Sequence, residues 1–140
     1  AGMAFNNASL GHVHAMAHQL GGFYNLPHGE CNAILLPIVE EYNLLAHLDK
    51  FINIARMMDE NIDGLSKRDA AELAISAIRR LSQDVGIPAS ITELAKRYGK
   101  EVSRSDIPTM VANAQKDACG LTNPRKMTDA AVQQLYEIAF

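Results

Sequence analysis

Apolar residues recur at intervals of three and four along most of this 140-residue chain. That spacing places them on one face of a helix, whereas the strict alternation typical of a half-buried strand is nearly absent. The range 67–85 is the clearest example. Its apolar stripe consists of Ala70, Leu73, Ala74, Ala77, Ile78 and Leu81. The pattern therefore predicts an all-α domain.

Capping and breaking residues divide the helical pattern into segments. Ser66 and Ser90 each precede an acidic residue by three positions, which is the spacing of a capping box at a helix start. Thr128 is a further predicted cap, a stop is expected after Leu20, and Pro37 should kink the helix that contains it. The predicted helices are 2–20, 30–47, 50–58 with Asp49 as its cap, 67–85, 91–98, 105–118 and 129–140.

Composition narrows the possible functions. Apolar residues make up 48% of the chain and charged residues 21%, as in ordinary globular proteins, so residues 1–140 are expected to form a single domain. The net charge of −3 is spread along the chain without a basic cluster, which argues against a nucleic-acid partner.

No membrane or secretion signal is evident in the sequence. The apolar run 33–39 is far shorter than the roughly 20 residues that span a bilayer, and the first residues do not resemble a signal peptide. Two cysteines, Cys31 and Cys119, do not make a disulfide framework. We therefore expect a reduced, cytoplasmic setting and no membrane partner.

Histidines near the start of the chain carry the strongest chemical signal. His14 and His18 are four residues apart and should share a helix face, and a short turn should bring His28 beside them. Convergent imidazoles form metal sites or proton-transfer sites, although a single histidine is more often a buried residue with a hydrogen-bond partner. We assign no function to His12, which projects to another face, or to His47.

The residues around these histidines resemble one enzyme family. The run 11–21, the Pro-His-Gly at 27–29 and the Asn-Ala-Ile-Leu-Leu-Pro at 32–37 resemble the hallmark of the iron-containing (group III) alcohol dehydrogenases. The similarity returns at 117–119 and 122–125. It covers essentially the whole chain, but only the C-terminal part of the family's sequence.

The resemblance implies roles for five residues. Family members hold a divalent metal with an Asp and three His, and two of those ligands would be His14 and His28. His18 would lie beside the metal and the nicotinamide as a proton-transfer residue, whereas spacing alone would make it a third ligand. Phe5 and Cys119 match positions that line the substrate pocket, although core packing is an equal alternative for each.

The resemblance also implies parts that this sequence does not contain. The expected cofactors are Fe²⁺ or Zn²⁺ and NAD or NADP, with the nicotinamide nucleotide bound by an N-terminal domain upstream of Ala1. The expected reaction is interconversion of small primary alcohols and aldehydes, for which this chain alone would be inactive. The apolar face with Met3, Phe5 and Leu10 would then be exposed, which favours a homo-oligomer.

Two alternatives remain at this stage. The histidines could form a three-His zinc site of a hydrolase with Glu30 as its base. Glu30, or the residues around it, could instead orient His28. The chain could also be a catalytically silent helical domain that acts only in packing or oligomerisation.

Overall fold

The computed structural model describes residues 2–140, and all the regular elements within this range are helical. The predicted all-α class is therefore confirmed. The α-helices are α1 (Gly2–Ala8), α2 (His12–Tyr24), α3 (His28–Asn43), α4 (Leu48–Met57), α5 (Lys67–Asp84), α6 (Ile91–Arg97), α7 (Ile107–Ala114) and α8 (Asp129–Ala139). Three 3-10 turns are also present, at Leu44–Ala46, Arg104–Asp106 and Ala118–Thr122.

Three helices begin at the caps that the sequence predicts. The hydroxyl oxygens of Ser66, Ser90 and Thr128 each accept a hydrogen bond at 3.2 Å from the backbone N–H three residues further on. Each bond satisfies a donor that has no partner within the helix. The starts of α5, α6 and α8 are thus explained by local sequence.

The first predicted helix, 2–20, was wrong in two respects. It is divided into two helices, and the second of them ends later than expected. Ser9 adopts a left-handed conformation, with φ of 64°, and this separates α1 from α2. Helix α2 then passes Leu20 and includes Gly21 and Gly22, because glycine weakens a helix without forbidding it. Asn25 ends α2 instead, with φ of 53° and its N–H bonded to the carbonyl of Gly21.

Smaller corrections apply further along the chain. Helix α3 begins at His28, ends at Asn43 and runs through Pro37, which is buried. Asp49 lies in the first turn of α4 and does not cap it. Within the predicted helix 105–118, only Ile107–Ala114 is α-helical, as α7. One 3-10 turn precedes α7 in the sequence and another follows it. In the α5 stripe, Leu81 is exposed, because the last turns of α5 extend beyond the packed core.

The core consists of two clusters. The larger lies among α2, α3, α6, α7 and α8, and the smaller lies between α4 and α5. Tyr136 of α8 is fully buried, and its hydroxyl donates a hydrogen bond of 2.9 Å to the carbonyl of Met16 in the middle of α2. This hydrogen bond therefore ties α8 to α2, which carries His14 and His18.

A long-range amide network fixes the start of α2. The side-chain oxygen of Asn123 accepts from the N–H of His12 at 3.1 Å, and its amide donates to the side-chain oxygen of buried Asn43 at 2.8 Å. A Cβ at Gly11 would meet the same Asn123 oxygen at 3.0 Å, so the absence of a side chain there permits the contact. This network places the segment around residues 117–123 beside α2.

None of the helices in the part of the chain that the structure describes is both long enough and apolar enough to cross a membrane.

Candidate metal and proton-transfer site

Three imidazole rings converge at the surface where α2 meets the start of α3. The ring centroids are separated by 6.1 Å for His14 and His18, 5.4 Å for His14 and His28, and 5.2 Å for His18 and His28. The left-handed Asn25 and the extended Pro27 turn the chain between the two helices. The convergence predicted from spacing is therefore confirmed.

His14 and His28 have the geometry of two ligands to one ion. A metal bonded to one ring nitrogen at about 2.1 Å lies roughly 3.2 Å from that ring's centroid, so two imidazoles at a tetrahedral angle have centroids about 5.2 Å apart. The observed separation is 5.4 Å, with the ring planes inclined at 59°. This separation and inclination are compatible with two imidazoles that share one ion.

His18 has a different orientation. Its ring is stacked on that of His28 with only 21° between the planes, so the in-plane lone pairs of these two rings do not meet at one nearby point. Its Nδ1 lies 2.7 Å from Oδ2 of Asp117. This geometry supports a proton-transfer role for His18 over that of a third ligand beside His14 and His28.

Asp117 is the partner of His18 that sequence reasoning missed. Its Oδ1 accepts a hydrogen bond of 2.9 Å from the backbone N–H of Cys119, which leaves Oδ2 facing His18. Burial opposes ionisation of this carboxyl, but the hydrogen bonds from His18 and Cys119 outweigh it and hold the pKa of Asp117 below its usual value. The sequence offered one signal, since Asp117 belongs to the segment that matches the family.

Asn32, two residues after Glu30, has the role that was expected of Glu30 or of the residues around it. The Asn32 side-chain amide donates to Nε2 of His28 at 2.9 Å and to the His28 carbonyl at 3.0 Å. Glu30 instead pairs with Arg97, whose Nη1 lies 3.1 Å from its carboxylate. The residue that contacts His28 is therefore Asn32 rather than Glu30 itself, and the hydrolase alternative loses its proposed base to the ion pair with Arg97.

The two predicted substrate-pocket residues are placed differently. The Sγ of Cys119 lies within 4.8 Å of ligand atoms of His18 and Asp117, so the structure brings Cys119 to the cluster. Phe5 is half exposed on α1, a helix with no buried residue, and so it is not part of the core.

Burial and neighbouring rings favour the neutral form of His14. Partial burial lowers its pKa, the nearby His28 and His18 lower it further, and the charge of Asp117 acts in the opposite direction. A neutral imidazole keeps the lone pair that metal coordination requires. The donor set of His14 and His28 thus fits an ion of borderline softness such as Fe²⁺ or Zn²⁺.

The fold and this site define an all-helical domain with a surface cluster of imidazoles suited to a divalent metal ion. The sequence model of the "Fe-containing alcohol dehydrogenase family, C-terminal" matches residues 1–140. The chain therefore belongs to the iron-containing alcohol dehydrogenase family and corresponds to its C-terminal part.

Individual relatives agree with this membership. The chain is 54% identical over 140 residues to 1,3-propanediol dehydrogenase of Citrobacter freundii, and 42% identical over 140 residues to lactaldehyde reductase of Escherichia coli (strain K12). It is 41% identical over 139 residues to NAD-dependent methanol dehydrogenase of Bacillus methanolicus. These matches cover 99% or more of the chain but only 35% of each relative.

Solved structures share the fold. A 1,3-propanediol oxidoreductase superposes with a TM-score of 0.93 at 52% identity, and an alcohol dehydrogenase from Oenococcus oeni superposes with a TM-score of 0.91 at 52% identity. Each comparison covers 99% of this chain and 35% of the other chain.

Proposed function

We propose that this chain is the metal-binding part of an NAD(P)-dependent alcohol dehydrogenase that interconverts small primary alcohols and aldehydes. The observation that carries the proposal is the His14 and His28 pair, whose 5.4 Å separation suits a shared ion. The names of the relatives, which include dehydrogenases for 1,3-propanediol and methanol, support the same reaction class.

Each residue of the cluster has a distinct proposed role. His14 and His28 hold Fe²⁺ or Zn²⁺ together with ligands from elsewhere in the protein. Such an ion, when bound, acts as a Lewis acid on the alcohol or aldehyde oxygen. His18 moves the alcohol proton toward solvent, since its ring lies beside the pair and is itself 39% exposed. Asp117 holds His18 in one orientation through the 2.7 Å contact.

We also propose how the alcohol and the nicotinamide nucleotide are held. Cys119 borders the alcohol beside His18, and Phe5 offers it an apolar surface. NAD or NADP is held outside this chain, because the sequence contains no Gly-rich loop of the kind that binds a dinucleotide phosphate. We propose that the reaction takes place in the cytoplasm.

The exposed face of α1 supports self-association. Met3 is 85% exposed and Phe5 is 52% exposed, and apolar surface of this kind favours contact with a second copy. We therefore propose a homo-oligomer. Light scattering that reports only monomers at high protein concentration would contradict it.

A chimera tests the proposed reaction. This chain, 54% identical over 140 residues, would replace the matching part of the Citrobacter freundii dehydrogenase. We expect 1,3-propanediol oxidation with NAD, loss of that oxidation in His28→Ala, and retention of it in His47→Ala, which removes an exposed imidazole outside the cluster. A folded, metal-loaded chimera that lacks dehydrogenase activity would refute the proposal.

A further inference from the structure

We propose that His18, Asp117 and Cys119 form a second metal site, which takes a thiophilic divalent cation such as Zn²⁺. One donor atom from each residue lies within 4.8 Å of the others. These donors are an imidazole nitrogen, a carboxylate oxygen and a thiol sulfur, and none of them belongs to the His14 and His28 pair. An ion bound here replaces the direct contact between His18 and Asp117, so the occupied site is a state separate from the one in which Asp117 orients His18 for proton transfer.

The three side chains come from two elements that the fold holds together. His18 lies on α2, whereas Asp117 and Cys119 lie at the start of the 3-10 turn Ala118–Thr122. The N–H of Cys119 fixes one carboxylate oxygen of Asp117 and leaves the other 2.7 Å from Nδ1 of His18. The three donor atoms are thus held near one another by the fold.

The distances suit a small ion after a modest adjustment. Bonds of about 2.0–2.3 Å from Zn²⁺ to N, O and S require donors roughly 3.3–3.8 Å apart in a tetrahedral site. Nδ1 of His18 and Oδ2 of Asp117 are 2.7 Å apart and must separate slightly to admit an ion, and the sulfur of Cys119 lies within 4.8 Å of both residues' donor atoms. Small side-chain rotations therefore bring the three donors into range. All three residues are accessible, with side-chain exposure of 39% for His18 and 18% for Asp117, which leaves a path for the ion and a fourth position for water.

Charge and donor softness select the kind of cation. A thiolate and a carboxylate together neutralise a divalent ion, and a neutral imidazole completes a set of donors that suits zinc better than calcium or magnesium. Burial and the neighbouring Asp117 raise the pKa of the Cys119 thiol, so the free site holds the thiol form. Binding replaces the S–H bond with a metal–sulfur bond and releases the proton to solvent.

Co²⁺ is the probe that tests this site, because a thiolate bound to Co²⁺ gives a near-ultraviolet charge-transfer band. The titration uses the His14→Ala/His28→Ala double variant, so that the imidazole pair cannot compete, and also the unmodified chain. We expect the thiolate band in both proteins, and we expect added Zn²⁺ to abolish it.

Matched variants identify the ligands. Cys119→Ser, Asp117→Ala and His18→Ala should each lose the band, while Cys31→Ala and His47→Ala, which remove a thiol and an imidazole elsewhere, should keep it. Circular dichroism verifies that each variant remains helical, and Cys119→Ser alters only a partly exposed side chain. A band that persists in Cys119→Ser, or one that disappears whenever His14 and His28 are removed, would overturn the second site.

Discussion

His18 and Asp117 are 99 positions apart in the sequence, yet Nδ1 of His18 lies 2.7 Å from a carboxylate oxygen of Asp117. The contact fixes the orientation of the His18 ring, and it leaves Nε2 as the nitrogen that faces away from the carboxylate. The ring of His18 is also stacked on that of His28, whereas its Nδ1 is directed toward Asp117. This pairing distinguishes His18 from the two other histidines of the cluster.

Asp117→Asn should impair catalysis in the chimera more than substrate binding. The amide preserves the shape of the side chain but removes the charge that orients His18, and loss of such an orienting partner typically costs about 10–100-fold. We expect that fall in kcat with KM nearly unchanged, and partial recovery in Asp117→Glu. Asp84→Asn, which alters an exposed carboxylate on α5, is the control, and an unchanged kcat in Asp117→Asn would show that the contact is not used.

The sequence predicted correctly those elements that depend on residues a few positions apart. The caps at Ser66, Ser90 and Thr128 fix their own helices through bonds to residues three positions away, and the four-residue spacing of His14 and His18 fixes their shared face. These features required no knowledge of tertiary packing.

Several features that sequence reasoning missed depend on residues distant in the chain. Asn123 bonds the first N–H of α2 from 111 positions away, so the true start of that helix could not be inferred from its own residues. A separation of 99 positions likewise hid Asp117 from His18. Asn32 was different, because it lies among the residues around Glu30 that were expected to orient His28, at a four-residue spacing from His28 on α3.

Asn32→Ala should increase the affinity of the chain for Zn²⁺. The Asn32 amide donates to Nε2 of His28, so an ion that uses this nitrogen must first displace the hydrogen bond. A bond worth about 0.5–1.5 kcal/mol corresponds to a gain of roughly 2–10-fold when the competitor is removed. Calorimetric titration in the Cys119→Ser background isolates this pair of ligands, and an affinity that is unchanged or lower would contradict the competition.

Tyr136→Phe should destabilise the fold by about 1 kcal/mol, because it removes the buried hydrogen bond from α8 to the carbonyl of Met16 on α2. Urea denaturation measures the change in the free energy of unfolding. Tyr42→Phe removes an exposed hydroxyl bond to the carbonyl of Lys126 and should cost less. Equal losses of unfolding free energy in the two variants would show that burial does not increase the contribution of the Tyr136 hydrogen bond.

His12 should make the protein less stable in mild acid. Burial lowers its pKa below the ordinary value of 6.5, and this effect outweighs the opposing contributions of Gln115 and Asp117. The unfolded chain therefore takes up the proton first, so the free energy of unfolding falls as the pH decreases below about 6.5. Stability attributable to the neutral ring is fully present above that pH.

The variant that tests this is His12→Phe, which keeps a flat ring where the imidazole packs closely against Gly120. Urea titrations at pH 7 and pH 5 should show a smaller loss of stability for His12→Phe than for the unmodified chain. His47→Phe, which makes the same exchange of rings at an exposed position, is the matched control. An identical pH dependence in His12→Phe would contradict the burial argument.

The 140-residue chain alone should not oxidise alcohols with NAD or NADP, although it carries the imidazole pair and His18. Hydride transfer needs the nicotinamide and the alcohol carbon in near-contact, and such orientation can contribute on the order of 7–11 kcal/mol to lowering the barrier. The sequence has no phosphate-binding loop to position the cofactor, so the two reactants would meet at random. A spectrophotometric assay of cofactor reduction, with short primary alcohols and added Fe²⁺ or Zn²⁺, measures this directly. Turnover by this chain that His28→Ala abolishes would show that the helical part alone can orient both reactants, and the need for a separate cofactor-binding part would then have to be abandoned.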